Sequence, residues 1–132
     1  MPDEMPPALR LIACREADGD TWSFFLINDA AEPLDWAVLR EVTYEWGDNE
    51  VGKDVANVRI EGLAPGAHTL IWRGGGDAAE LRQNFILDVE MSCAAAALLF
   101  EFPRLYKKTD LPMAPGFHRP GWTASLMLLR RP

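Results

Sequence analysis

The sequence is poor in the residues that do chemistry. Among 132 residues it has two cysteines, two histidines and three serines. Two cysteines cannot build a disulfide framework. None of the serines, Ser23, Ser92 and Ser125, stands in the Gly-x-Ser-x-Gly setting that holds a nucleophile at a strained turn. Zinc sites gather paired ligands two to four residues apart, and here Cys14, Cys93, His68 and His118 are all isolated along the chain. No run of 18 uncharged apolar residues exists, so no helical membrane span is expected. The first residues, Met1 to Pro7, have no basic start and no apolar stretch. They do not read as a secretory signal, and a cytoplasmic location is expected. In that compartment Cys14 and Cys93 are expected to be reduced core thiols, with a cross-sheet disulfide as the alternative.

What the sequence has is the balance of an ordinary globular domain: 48% hydrophobic and 25% charged residues. It is too apolar for disorder and is read as one domain over residues 1–132. The net charge of −7 is unevenly placed. The first hundred residues carry −11. The last 32 carry +4, from Arg104, Lys107, Lys108, Arg119, Arg130 and Arg131 against Glu101 and Asp110. A body this acidic repels phosphate backbones, so no nucleic-acid partner is expected. The basic end either folds onto the acidic body or docks on a protein partner.

Strand signals dominate. Residues 9–14 form a short apolar run, followed by the turn-like Ala17-Asp18-Gly19-Asp20. Residues 21–27 are rich in aromatic and β-branched side chains, with Trp22, Phe24 and Leu26 on one face at period two. From Trp36 to Trp46 the alternation puts Val38, Arg40, Val42, Tyr44 and Trp46 on one face. Leu39, Glu41, Thr43 and Glu45 then take the other. Further strands are expected at 55–61, 67–72 and 82–90, the last with Phe85, Leu87 and Val89 together. Asp77-Ala78-Ala79-Glu80 has the form of a single helical turn at a loop edge. Residues 94–102 are alanine-rich enough for a helix but are read as a strand over 95–102, entering Pro103. Residues 103–121 form a connector broken by four prolines and two glycines. A last strand runs from Trp122 to Leu129. Strands at this spacing, with turns between them, point to an all-β sandwich or barrel.

One segment carries a resemblance. Val58 to Leu70, with Gly62-Leu63-Ala64-Pro65-Gly66 at its centre, resembles immunoglobulin-like and fibronectin type III-like β-sandwiches. In those folds such a strand ends in Gly-Leu-x-Pro-Gly and crosses to the other sheet. The turn must be rigid at proline and permissive at glycine. The resemblance implies an immunoglobulin-like antiparallel sandwich of seven or eight strands. Those families usually tie the corner with a tyrosine hydroxyl; here His68 and Thr69 stand instead, and the His68 ring is the candidate substitute. The resemblance implies no activity.

No catalytic residue, metal-ligand set or cofactor site emerges. Asp48, Asn49, Glu50 and Asp54 lack EF-hand spacing and read as a solvated hairpin tip. Gly74-Gly75-Gly76 lacks the lysine and helix of a phosphate loop. Glu41 and Glu45 stand about 13 Å apart along a strand, too far for a glycosidase pair. The surplus is aromatic: five tryptophans, of which a domain this small leaves some incompletely buried. Exposed tryptophan beside tyrosine and arginine marks recognition surfaces. The expected binding residues are Tyr44 and Trp46 at one strand end, and His118, Arg119 and Trp122 in and after the connector. The leading expectation is a non-enzymatic interaction module that engages a protein partner or a second copy. Two alternatives are an aromatic-lined ligand or enzyme site, with His68, Tyr44 or His118 as its polar handle, and a calcium- or carbohydrate-binding accessory domain.

Overall fold

The computed structural model describes residues 8–45, 51–75, 82–91, 94–105 and 110–129. The described chain is all-β. Its strands are β1 (Leu9–Arg15), β2 (Thr21–Asn28), β3 (Leu34–Glu45), β4 (Val51–Leu63), β5 (His68–Gly75), β6 (Arg82–Met91), β7 (Ala94–Phe102), β8 (Trp122–Thr123) and β9 (Ser125–Leu129). They form two antiparallel sheets, ordered β5-β2-β1-β8 and β4-β3-β6-β7-β9. β8 and β9 are halves of one segment, so eight lengths of chain supply the strands. No described helix is long and apolar enough to cross a membrane.

The period-two patterns explain most of the packing. Leu11, Ala13, Trp22, Phe24 and Leu26 from one sheet meet Leu87, Val89, Leu98, Phe100 and Phe102 from the other in one buried core. Aromatic rings fill its centre. Phe24 lies 4.8 Å from Phe85 and 5.2 Å from Phe102, centroid to centroid. Their tilted and edge-on geometries suit the ring quadrupoles. The alanine-rich segment is a strand, as expected, because β6 pairs with it from Gln83↔Phe102 to Met91↔Ala94.

Two bulges redirect side chains. In β3 the register skips Arg40, so that Leu39 and Glu41 face the consecutive residues Leu87 and Ile86 of β6. The extra residue reverses the alternation. Ala37 and Leu39 before it, and Val42 and Tyr44 after it, are all buried. The expected single face from Val38 to Trp46 is therefore corrected: Val38 is only half-buried and Arg40 is exposed, reaching Asp88 at 3.5 Å. In β5 the register skips Ile71 between Phe24↔Trp72 and Phe25↔Leu70. Ile71 and Trp72 both pack on the core, while His68 and Leu70 remain exposed.

The turns form as their residues predict. The Asp18 carboxylate accepts the Asp20 and Thr21 backbone N–H groups at 2.9 and 2.8 Å and the Thr21 hydroxyl at 2.7 Å. These bonds, the Thr21 hydroxyl foremost, hold its pKa below the usual carboxylate range. After β4 the chain crosses between sheets through residues 64–67, with Gly62 and Gly66 at φ of 67° and 79°. His68 does not tie this corner; it is exposed among other rings. Asn28 does. Fully buried, it donates through Nδ2 to the Leu63 and Glu32 carbonyls at 3.0 and 2.9 Å, and its Oδ1 accepts Ala30 N–H at 2.9 Å. Its backbone also exchanges bonds with Gly66 and Ala67 at 2.7 and 3.0 Å.

The final strand passes from one sheet to the other at Ala124. β8 pairs with β1, and β9 with β7, while Ala124 N–H bonds to the Leu11 carbonyl at 2.9 Å. This segment joins the two sheets along one side. On the opposite side β5 and β4 are the edge strands.

Candidate functional site

Within the proline-rich connector, residues 112–121 fold back on themselves. Gly121 N–H bonds to the Pro112 carbonyl at 2.9 Å, Met113 bridges to Pro120, and Phe117 N–H closes a turn on the Ala114 carbonyl at 3.0 Å. The resulting hairpin lies on the outer face of the four-stranded sheet. Strand alternation puts Ile12, Cys14, Phe25 and Ile27 on that face. Ala114 and Phe117 cover them, making a second small core. The approach is close at Gly121. A Cβ there would overlap Ile12 Cγ2 and stand 3.0 Å from both the Ala13 carbonyl oxygen and Cys14 Sγ.

Polar contacts seat the hairpin. The Arg10 guanidinium pairs with the Asp29 carboxylate and donates to the Pro115 carbonyl. Arg119 donates through Nη2 to the Arg15 carbonyl and to Glu16, both at 3.2 Å. Glu16 is held below the usual carboxylate range, first by the Ser23 hydroxyl and then by Arg119. Arg119 of the basic C-terminal region thus folds onto the acidic body. Beneath it, burial pushes the Cys14 thiol up to about 11, against a weaker opposing pull from Arg119. A thiol so placed is a packing group, since the thiolate is the reactive form.

Gly121→Ala tests this seat. It is expected to lose about 2 kcal/mol, the scale of overpacking against backbone. In a Cys93→Ser background it is expected to raise the rate of Cys14 alkylation in native buffer. An unchanged alkylation rate means the hairpin accommodates the methyl without lifting.

The hairpin tip completes a cluster of rings. Phe117 and His118 lie 4.5 Å apart, His68 stands edge-on to Phe117 at 5.0 Å, and the two imidazoles are 5.3 Å apart. Phe25 lies beneath, 5.5 Å from Phe117, with the Arg119 guanidinium 5.6 Å over its ring. His118, Arg119 and Trp122, expected as binding residues, therefore lie on one hairpin or at its exit. Tyr44 is not with them. It is buried between the sheets, 6.0 Å from Trp72, which corrects its reading as an exposed recognition residue. Trp46 and the expected turn at 77–80 lie outside the described residues, as does Cys93. His68, Tyr44 and His118 do not converge on a cavity, because Tyr44 is in the core and the histidines are outside it. Trp22 belongs to the core, and Trp36 is half-buried under Arg59.

Of the four large exposed apolar side chains among the described residues, Met113 (59% exposed) is in the hairpin and Trp122 (37%) follows it on β8, while Leu70 (37%) is on β5 at the other edge of this sheet and Val58 is on β4. Beside the hairpin a cleft of about 370 Å³ is lined by Arg15, Asp110, Leu111, Arg119 and Pro120. It is not aromatic. No group of three or more metal-ligating side chains occurs among the described residues. His68 was missed as a partner of His118 because 50 residues separate them; only the pairing of β5 with β2 and the seating of the hairpin bring them together. No protein-family model matches the chain, and no curated protein or solved structure matches it.

Proposed function

We propose that this chain is a non-enzymatic protein-interaction module of the cytoplasm that associates with a second copy of itself. The carrying observation is that Met113 and Trp122, two of the four large exposed apolar side chains among the described residues, lie in the hairpin and at its exit. Exposed apolar side chains close together on a surface mark association sites, and tryptophan is a frequent energetic anchor. A second copy also brings the acidic first hundred residues that complement a cationic C-terminal region. Such a contact is most simply two-fold.

The proposed scaffold is an immunoglobulin-like sandwich. The grouping of β1, β2 and β5 against β3, β4, β6 and β7 supports this reading, as does the crossing through Gly62-Leu63-Ala64-Pro65-Gly66. The final strand that touches both sheets is an addition to that plan.

Sedimentation velocity tests the module. The full chain at high concentration is expected to sediment as more than a monomer. Trp122→Ala and Met113→Asp are each expected to weaken association at least about tenfold, a loss of about 1.4 kcal/mol, with melting temperature nearly unchanged. A wild-type monomer at the highest concentration and low salt overturns the reading. So does a Trp122→Ala variant that associates as wild type.

A further inference from the structure

The chain has two histidines, and the fold puts both rings side by side. His68 is fixed by β5, opposite Ile27. His118 is fixed by the hairpin tip. Phe117, itself buried, packs against both, 5.0 Å from His68 and 4.5 Å from His118. Both imidazoles are exposed, and neither makes a hydrogen bond among the described residues. Nothing in the fold of the described chain uses their ring nitrogens.

We infer that His68 and His118 together chelate a late first-row divalent metal ion. Imidazole nitrogen suits zinc, copper and nickel, and does not suit magnesium or calcium. The spacing fits. An ion about 2.0–2.1 Å from one nitrogen of each ring, at a tetrahedral angle, sets the ring centroids about 5 Å apart. The observed separation is 5.3 Å. Turning each ring so that a nitrogen faces the ion uses the broad terminal torsion of histidine, which is soft. Phe117 restricts where the rings can sit, so less freedom is lost on binding.

The surrounding charge does not forbid a cation. The guanidinium groups on this face are opposed by carboxylates, Arg119 by Glu16 and Arg10 by Asp29. Arg73 donates to the Ser23 hydroxyl and also acts on Glu16. Two imidazoles leave the remaining coordination positions to water or to a donor from an incoming molecule, which is the form of an open site rather than a structural one. The inference stands apart from self-association through Trp122, and it concerns the dilute monomer as well.

The test uses untagged full-length chain, titrated calorimetrically with Zn(II), Ni(II) or Cu(II) at a concentration where it sediments as a single species. One ion is expected per chain. His68→Ala and His118→Ala are each expected to weaken binding more than about tenfold, and to abolish the rise in melting temperature that bound metal gives the wild type. Each variant is checked for an unchanged melting temperature without metal, which exposed positions permit. Magnesium and calcium are expected to give no heat of binding. Absence of wild-type binding overturns the inference. Equal binding by either single variant also overturns it, because the ion then sits elsewhere.

Discussion

Phe24→Ala is expected to lose about 4 kcal/mol of stability, within the range for deleting a buried phenylalanine ring. Phe24 is 1% exposed. Its ring touches Trp72, Phe85 and Phe102 at centroid distances of 5.5, 4.8 and 5.2 Å, and so joins β2 and β5 to β6 and β7. Removing it takes away the transfer energy of the ring, the ring–ring terms and the packing of three neighbours that cannot all move into the space. Urea unfolding measures this as a lower midpoint at constant slope. Phe24→Leu keeps most of the volume and is expected to lose markedly less. A Phe24→Ala deficit below about 1 kcal/mol means that the aromatic centre relaxes around the cavity, and the view of a rigid four-ring centre fails.

Asn28→Asp is expected to lose about 3–5 kcal/mol near neutral pH, as breaking a buried polar network does. The wild-type amide donates to two carbonyls, those of Leu63 and Glu32. A carboxylate has no proton to donate and turns negative oxygen toward both. The sign of the pH dependence follows. Burial beside carbonyl oxygens favours the neutral acid, so the variant's folded pKa stands above its unfolded value of about 3.9. The folded state then binds more protons than the unfolded one between those two values, and variant stability falls as pH rises through that interval. The deficit against wild type is therefore expected to shrink toward pH 4, where the protonated acid can donate one bond. Parallel wild-type and variant pH profiles sink this account of the corner. Asn28→Ala, which leaves the carbonyls unpaired but adds no charge, is expected to lose about 2 kcal/mol with no such pH dependence.

The legible parts of the fold were the strand faces that alternate without interruption into the core between the sheets. Trp22, Phe24 and Leu26, and Phe85, Leu87 and Val89, alternate as the sequence suggests, because a pleated strand offers no other arrangement. The alternation failed in β3. A bulge at Arg40 inserts one residue, and nothing in the sequence marks it, since Leu39 and Val42 flank the charged pair Arg40-Glu41 just as they would in a strand without a bulge. Tyr44 was misread for a related reason. An aromatic residue at a strand end reads the same in sequence whether its face is covered or open. The corner showed the same limit. The turn residues were evident, but its anchor is Asn28 on β2, which lies 35 positions from the Leu63 carbonyl it holds.

The candidate site was half legible. His118, Arg119 and Trp122 stood out because a proline-rich stretch with positive charge follows an acidic body. His68 did not, for its sequence neighbourhood is that of an ordinary strand. Composition and periodicity alone pointed to an all-β chain with its charge divided near residue 103. These properties come from local backbone geometry and summed burial, which every residue reports separately. Only the tertiary structure decided that the proline-rich segment is a hairpin lying on the outer sheet face, that Asn28 holds the corner, and that the two histidines are neighbours. Those outcomes depend on contacts between residues far apart in the chain, and such contacts exist only once strand register and sheet order bring the partners together.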